Sequence, residues 1–266
     1  MTLTLNRGPL SGRPPEAVNY TIDGPEHRLL LSDFPRRVRA IFAGTEIIDS
    51  RRAKQLHETA YLPQLYVPED DVRMDLLEPT DHRTRCPFKG DASYWSIRVD
   101  GRVADNAVWA YRDPTERASW LAGYYALQFD AMDSWFDEDE EIEGHLRDPY
   151  HRVDVRQSSR HVRVVADNVP VAETRRPMLL SETGLRNRYY IPPEDVREDL
   201  LHTSSTRTVC PYKGTATYHT LRIEDQVWED TAWSYLDPFE NALKVRGHLC
   251  FSGPGIEIEI DGSRVE

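Results

Sequence analysis

The stretch Cys86-Pro87-Phe88-Lys89-Gly90 recurs as Cys210-Pro211-Tyr212-Lys213-Gly214, 124 positions further along a chain of 266 residues. At this offset residues 36–128 align with residues 160–252 without a gap, and 33 of the 93 aligned positions are identical. A period of 124 residues is too long for a solenoid repeat and has the size of a small globular domain. The sequence therefore predicts two copies of one domain.

The segments outside the aligned repeats suggest the domain boundaries. We expect an N-terminal arm, rich in Pro and Gly, over residues 1–35, before a first repeat domain over residues 36–148 that ends in an acidic connector. The second repeat domain then covers residues 149–266. Residues 25–28 loosely echo residues 148–152, which suggests that an arm precedes each domain and lies across its neighbour.

The hydrophobic pattern within each copy is that of strands. Residues 162–165, 218–223 and 256–260 alternate in polarity or run in β-branched and aromatic residues, between turns rich in Gly, Pro and Asp. The segments best suited to a short helical piece are residues 68–72 and 192–196, where proline and acidic residues suit a first helical turn. We therefore predict a mainly β protein, with one small antiparallel domain in each copy.

Composition and charge exclude several classes of protein. Lys and Arg number 33 against 45 Asp and Glu, so the net charge of −12 argues against a nucleic-acid partner. Residues 130–148 hold nine of the acids and one arginine; we interpret them as a solvated connector, and a cation- or partner-binding arm is the alternative. No apolar run approaches the roughly 18 residues of a membrane span, and the N-terminus does not resemble a secretory signal. With three cysteines, these features favour a cytoplasmic protein without membrane association.

The candidate functional residues are the polar and reactive ones that match between the copies, because apolar matches need only a core to explain them. A matched aspartate, Asp71 in the first copy and Asp195 in the second, is expected to cap or position a turn. The remaining matched residues are candidates for ligand binding: Glu58, Tyr66, Cys86, Lys89, Tyr94, Trp109 and Tyr111 in the first copy, and Glu182, Tyr190, Cys210, Lys213, Tyr218, Trp233 and Tyr235 in the second.

The Cys-Pro-aromatic-Lys-Gly motif has two interpretations. Pro and Gly suit the second position and the end of a tight turn, in which the Cys is a small buried residue. Alternatively, the Lys ammonium lowers the pKa of the Cys thiol, so that Cys210 contacts a ligand or acts as a nucleophile. No His is matched within the aligned copies, which weakens a catalytic role. With one matched Cys in each copy, we expect no metal site and no cofactor.

The matched aromatic residues predict either a packed core or a half-open pocket. Trp109 and Tyr111 lie two apart on one predicted strand, so they share a face. Tyr and Trp carry polar groups that a core must satisfy, which makes an aromatic-lined pocket credible. Lys89 and Glu58 would then fix a polar ligand. The first copy has Trp95 where the second has His219, and we expect this tryptophan to fill or reshape the first pocket.

These motifs resemble the bacterial family catalogued as domain of unknown function 427. The first copy has the same series, with Ala60 in place of Gly184 and Leu65 in place of Tyr189, and the resemblance covers residues 36–148 and 159–262. The motifs that carry it are, in the second copy, Glu182-Thr183-Gly184, Tyr189-Tyr190-Ile191-Pro192, Asp195-Val196-Arg197, Cys210-Pro211-Tyr212-Lys213-Gly214, Trp233-Ser234-Tyr235 and Gly247-His248-Leu249-Cys250-Phe251.

The resemblance implies a fold similar to the β-tent (Mss4-like) group, which also holds zinc-binding domains and methionine sulfoxide reductases of the B type. That group commonly uses its concave face as a pocket, and this family lacks the zinc cysteines. A nucleotidyltransferase label is attached to the family. The chain has neither a Gly-Ser element followed by alternating acids on a strand nor a Walker-type loop to support such transfer chemistry.

Three hypotheses about function follow. In the leading one, the chain is a tandem module in which each domain binds an unknown small molecule in an aromatic-lined pocket, the second pocket being the better formed. In the second, it is an enzyme of redox or acyl-transfer type acting through Cys210, assisted by Lys213, Glu182 or His219. In the third, it is a scaffold whose acidic stretch recruits a partner. We expect a monomer in which the two domains pair with pseudo-twofold symmetry.

Overall fold

The computed structural model describes residues 3–265, and the chain divides between Asp148 and Pro149 into two compact units. Both units are mainly β, as predicted, and their sheets are antiparallel. The strands of the first unit are β1 (Leu29–Asp33), β2 (Val38–Phe42), β3 (Thr45–Ser50), β4 (Lys54–Glu58), β5 (Gln64–Pro68), β6 (Leu77–Cys86), β7 (Gly90–Val99), β8 (Arg102–Ala110), β9 (Tyr124–Leu127), β10 (Ser134–Asp137) and β11 (Glu140–Ile142).

The first unit is built from two sheets. Seven strands form one sheet in the order β1-β4-β5-β9-β8-β7-β6, and four form the other in the order β11-β10-β2-β3. Apolar side chains from both sheets, among them Val38, Ile47, Ile97 and Val108, form one buried cluster. Because successive residues of a strand point to opposite faces, the seven-stranded sheet keeps a second face that does not contribute to this core.

The second unit repeats this arrangement. Ile191 and Leu249 form a β-bridge with reciprocal backbone hydrogen bonds of 2.7 and 2.9 Å; this bridge links the two sheets that correspond to the seven-stranded sheet. The sheet orders are β12-β15-β16, β17-β18-β19-β20 and β14-β13-β21-β22. The strands are β12 (Val153–Gln157), β13 (Val162–Ala166), β14 (Val169–Thr174), β15 (Met178–Glu182), β16 (Arg188–Tyr190), β17 (Leu201–Cys210), β18 (Gly214–Ile223), β19 (Gln226–Tyr235), β20 (Leu249–Phe251), β21 (Ile256–Ile260) and β22 (Ser263–Arg264).

The helices are short 3-10 turns, and the two that the sequence predicts are present as Glu69–Asp71 and Pro193–Asp195. Asp71 accepts a hydrogen bond of 2.6 Å from the Ser50 hydroxyl, and so positions this turn against β3 as expected. None of the helices in residues 3–265 is long or apolar enough to cross a membrane. The other 3-10 helices are Met74–Leu76, Glu116–Leu121, Phe129–Ala131, Glu198–Leu200 and Glu240–Val245.

The acidic stretch is part of the first domain and not a free connector. Its residues form β10 and β11, and β10 pairs with β2 as β21 pairs with β13 in the second unit. Trp135 of β10 is 3% exposed within the main core, which explains why the stretch folds onto the sheet. A gapless sequence comparison does not detect that β10 corresponds to β21. Trp135 faces Ala40 and Ile258 faces Val164, so Trp135 and Ile258 occupy equivalent places in the two sheets. Their separation in the sequence is one residue less than the offset of 124.

The N-terminal segment also contributes to the first domain. Strand β1 lies within the range 1–35 that the sequence assigns to an arm, and it pairs with β4 along its whole length. Preceding it, the Thr59 hydroxyl donates to the Leu10 carbonyl at 2.9 Å, and Ala60 N donates to the Thr4 carbonyl at 3.0 Å. Thr4 is 2% exposed. The segment is therefore held against the turn that follows β4.

The two copies differ at the turn after β4, where the first has Ala60 and the second has Gly184. Ala60 has φ +71° and the matched Gly184 has φ +74°, a region that costs a residue with a Cβ about 1–2 kcal/mol. Ala60→Gly removes this strain, but glycine loses more conformational entropy on folding than alanine does. We therefore expect the substitution to raise the free energy of unfolding by about 0.5–1 kcal/mol. Gly184→Ala, the reciprocal change, is expected to lower it. Calorimetric unfolding measures both; destabilisation by Ala60→Gly would contradict this account.

Candidate functional site

One face of the seven-stranded sheet carries the residues that the sequence singles out. We call it the aromatic face and define it by the partly and fully buried cluster of Leu56, Tyr66, Tyr94, Trp109 and Tyr111. Cys86 and Leu29 pack against the same cluster. Strand alternation places these residues opposite the main core, so the prediction that Trp109 and Tyr111 share a face is confirmed.

The aromatic side chains of this face form two layers. Tyr66 and Tyr111 are 1% and 7% exposed, whereas Tyr94 and Trp109 are half-buried. The Tyr94 and Trp109 rings stack with centroids 6.5 Å apart, and the Tyr94 hydroxyl lies 2.9 Å from the Thr84 hydroxyl. The face thus combines a buried aromatic floor with a partly exposed aromatic pair.

The second repeat carries the same two layers. Tyr190 and Tyr235 are 1% and 5% exposed, and the half-buried rings of Tyr218 and Trp233 lie 6.2 Å apart. The Trp233 indole Nε1 donates to the Tyr190 hydroxyl at 3.3 Å. The Arg188 guanidinium lies 5.8 Å from the centre of the Trp233 ring, which adds a cation to this face.

Burial keeps the floor phenols neutral. Desolvation is the main cause that raises the pKa of Tyr66, Tyr111, Tyr190 and Tyr235 well above the ordinary value. The charge of Glu58 raises the pKa of Tyr66 and Tyr111 further. A neutral phenol keeps its proton and can donate a hydrogen bond at any physiological pH.

A network of three charged or ionisable side chains lies at one end of the first aromatic face. The Lys89 ammonium donates to Glu58 Oε2, and His27 Nε2 lies 2.8 Å from Glu58 Oε1. The His27 ring stacks on Phe88 with centroids 3.8 Å apart, and the Lys89 Nζ lies 5.6 Å from the centre of the Tyr111 ring. The two predicted charged residues therefore bind each other, together with a histidine.

The same network is present in the second repeat and is more deeply buried. The Lys213 ammonium donates to Glu182 Oε2, and His151 Nε2 lies 2.9 Å from Glu182 Oε1. The side chains of His151, Glu182 and Lys213 are 2%, 9% and 11% exposed. Burial alone would raise the pKa of Glu182, but the hydrogen bond with His151 and the charge of Lys213 lower it to about 2.

The histidines of these networks are the functional residues that the sequence reasoning missed. His27 and His151 are separated by the same 124 positions as the other matched residues, but they precede the aligned range that begins at residue 36. Within the aligned range no histidine of one copy matches a histidine of the other. Aligning residues 25–28 with residues 149–152 at the same offset of 124 would have matched His27 with His151.

Backbone pairing explains why these three side chains meet. Leu29 of β1 faces Glu58 of β4, and Val153 of β12 faces Glu182 of β15, so each histidine lies two residues before the partner of its glutamate. The lysine comes from the turn between β6 and β7 in the first repeat, and from the turn between β17 and β18 in the second. Strand alternation then places histidine and glutamate on the same face of the sheet.

The Cys-Pro-aromatic-Lys-Gly motif forms a hairpin turn, as its Pro and Gly predict. Gly90 and Gly214 have φ +108° and +101°, and a Cβ at these positions would lie 3.2 and 3.1 Å from the carbonyl oxygens of Asp113 and Asp237. Phe239 N donates to the Lys213 carbonyl at 3.1 Å. Glycine is needed here for its conformation and for the close approach of the neighbouring backbone.

The lysine of each turn binds the glutamate, and Cys86 and Cys210 are half-buried beside the aromatic cluster. His219, considered as a helper of Cys210, is excluded from that role because strand alternation places it opposite Tyr218 and the cluster that contains Cys210. Trp95 likewise does not enter the first aromatic face; it is 7% exposed in the main core, with its ring 5.2 Å from that of Tyr125.

No group of three or more His, Cys, Asp or Glu in the described residues is arranged to hold a metal ion. The glutamate of each network has one oxygen bound by lysine and the other by histidine. What the site can offer a ligand is therefore its half-buried aromatic rings, the hydroxyl groups beside them and the neutral phenols beneath.

We expect the protein to become less stable in acid as the ionised Glu182 side chain is protonated. Its pKa is lowered from 4.5 to about 2, so its stabilising contribution is present above about pH 4.5 and is lost as the pH falls toward 2. A shift of this size corresponds to roughly 3 kcal/mol. We expect Glu182→Gln to be less stable than the wild type at pH 6, and this difference to shrink steadily between pH 4.5 and 2.

Urea unfolding of both proteins across this pH range measures the effect. Asp199→Asn is the matched control, because Asp199 forms an ion pair with Arg197 on the surface, where such pairs contribute little. A stability difference between the wild type and Glu182→Gln that stays constant from pH 6 to pH 2 would contradict the assignment.

The comparisons with known proteins agree with this duplicated architecture. A family model described as a domain of unknown function (DUF427) matches residues 30–138 and again residues 154–262. No curated protein matches the chain. The two matched segments correspond to the two units and begin within β1 and β12. Each contains the glutamate and the lysine of its network, while the histidine precedes the matched segment. The chain belongs to the family of the domain of unknown function DUF427, of which it contains two tandem copies.

Proposed function

We propose that each repeat binds a small molecule on its aromatic face, so that the chain is a tandem binding module. The observation that carries the proposal is the half-buried aromatic pair, Tyr94 with Trp109 and Tyr218 with Trp233, which recurs in both repeats with ring centroids 6.5 and 6.2 Å apart. A core that existed only for packing would gain stability by covering these rings, since their burial is favourable.

The chemistry of the face favours a ligand with a flat or apolar body and a polar edge. The body would stack on the exposed parts of the Tyr and Trp rings. The polar edge would bind the hydroxyl groups beside them, of which Thr84 and Tyr94 form one pair and Thr208 and Tyr218, 3.1 Å apart, the other. Cys86 and Cys210 lie beside the same rings and would contact the ligand as thiols.

The lysine and glutamate have a supporting role in this proposal. Because both carboxylate oxygens of each glutamate are already bound, the network fixes the wall of the site and does not grip the ligand. The second repeat also has Arg188 over Trp233, where the first has Gln64, whose amide donates to the carbonyls of Leu65 and Leu127. We therefore expect the second site to bind molecules with a negative charge more tightly than the first.

The experiment is equilibrium dialysis of the purified chain against a small-molecule extract of cells, with mass spectrometry of what is retained. Trp109→Leu and Trp233→Leu each remove one stacking surface, so each variant should lose one of two sites, and the double variant both. Trp120→Leu is the control, because Trp120 is 37% exposed and lies on a surface 3-10 helix. Trp233→Phe keeps an aromatic ring and should retain binding.

Circular dichroism of every variant separates loss of binding from loss of folding. Retention that does not depend on Trp109 or Trp233 would overturn the proposal. So would a folded wild-type chain that retains no compound above the Trp109→Leu, Trp233→Leu double variant.

A further inference from the structure

The first unit contains a cavity of about 690 Å³ outside the aromatic pair. Its walls come from four parts of the chain: Leu10, the segment over residues 22–30 that leads into β1, the hairpin turn at Pro87 and Phe88, and the segment after β8 with Thr115 and Arg117. Neither Tyr94 nor Trp109 lines it. Its volume lies within the range of roughly 300–1,000 Å³ that is usual for small-molecule sites.

The cavity is lined by apolar side chains and by polar side chains that are mainly basic. Leu29, Leu30 and Phe88 line it together with the guanidinium-bearing residues Arg28 and Arg117. His27 also lines it, and Asp23 is the acid among the lining residues. The cavity therefore pairs an apolar surface with a local excess of positive charge.

Two arginines, Arg28 and Arg117, line the cavity, and neither forms an ion pair among the residues that the structure describes. The Arg28 Nη1 donates to the Ser11 carbonyl at 3.2 Å, and its Nε is buried out of reach of the cavity. A ligand would therefore bind the other N–H groups of these two side chains. A carboxylate is the natural partner of a guanidinium because it can bind two N–H groups at once.

We propose that this cavity binds a small organic carboxylate with an aromatic or aliphatic body. The carboxylate pairs with Arg28 and Arg117, and the body covers Leu29, Leu30 and Phe88. The proposal does not depend on ligand binding at the aromatic face, since the stacking residues Tyr94 and Trp109 do not line the cavity.

The second repeat lacks the charge pattern of this site. The residue that matches Arg28 is Arg152, whose side chain is 80% exposed and forms an ion pair of 2.8 Å with Asp154. The position that matches Arg117 is occupied by Asn241. We therefore expect one such site in each chain, and this stoichiometry distinguishes it from the two aromatic faces.

The test is isothermal titration of the full chain with 2-naphthoate and with its uncharged analogue 2-naphthamide. We expect a single site for 2-naphthoate, with binding at least tenfold weaker for 2-naphthamide and for the variants Arg28→Gln and Arg117→Gln. Arg152→Gln is the matched control and should bind as the wild type does. Arg117 is exposed, so its substitution tests the site even if Arg28→Gln impairs folding.

Equal affinity for the two compounds would overturn the proposal, as would the absence of binding by 2-naphthoate. An Arg117→Gln variant that binds 2-naphthoate as tightly as Arg152→Gln does would also overturn it. Failure at this site leaves the dialysis result for Trp109 and Trp233 unaffected.

Discussion

One largely buried glutamate in each domain, Glu58 in the first and Glu182 in the second, forms hydrogen bonds that connect three separate parts of the domain. Its own strand supplies the carboxylate, the segment before the first strand supplies the histidine, and the hairpin turn supplies the lysine. A carboxylate removed from water is costly unless it is paired and hydrogen-bonded. Each domain therefore gains its lowest free energy only when all three parts are in place.

This constraint orients the surface that we assign to ligand binding. The turn that delivers Lys213 also begins β18, which carries Tyr218, and β18 pairs with β19 so that Tyr218 faces Trp233. Fixing the turn consequently fixes the aromatic pair. In the binding mode that we propose, the network would act on a ligand only through the wall that it holds, and the rings and hydroxyl groups would make the contacts.

Much of this architecture is predictable from the sequence, because duplication lets one copy test the other. The β class, the hairpin turn at Cys210–Gly214 and the shared face of Trp109 and Tyr111 all follow from local rules. Two features do not. The strand at Trp135 is hidden by a one-residue change of register and by its acidic neighbours, and the role of His151 depends on a pairing between strands that sequence spacing does not reveal. Long-range pairing is the information that a local pattern lacks.

A double-mutant cycle between Glu182 and Lys213 tests the central claim most directly. The free energy of unfolding is measured for the wild type, Glu182→Gln, Lys213→Met and the double variant, with a parallel cycle at Glu58 and Lys89. Removing one member leaves the other charge buried, so the double variant should be much less damaged than the sum of the single ones, with a coupling of about 2 kcal/mol or more. A coupling near zero in both repeats would show that the pairs act as ordinary surface ion pairs and would contradict the account.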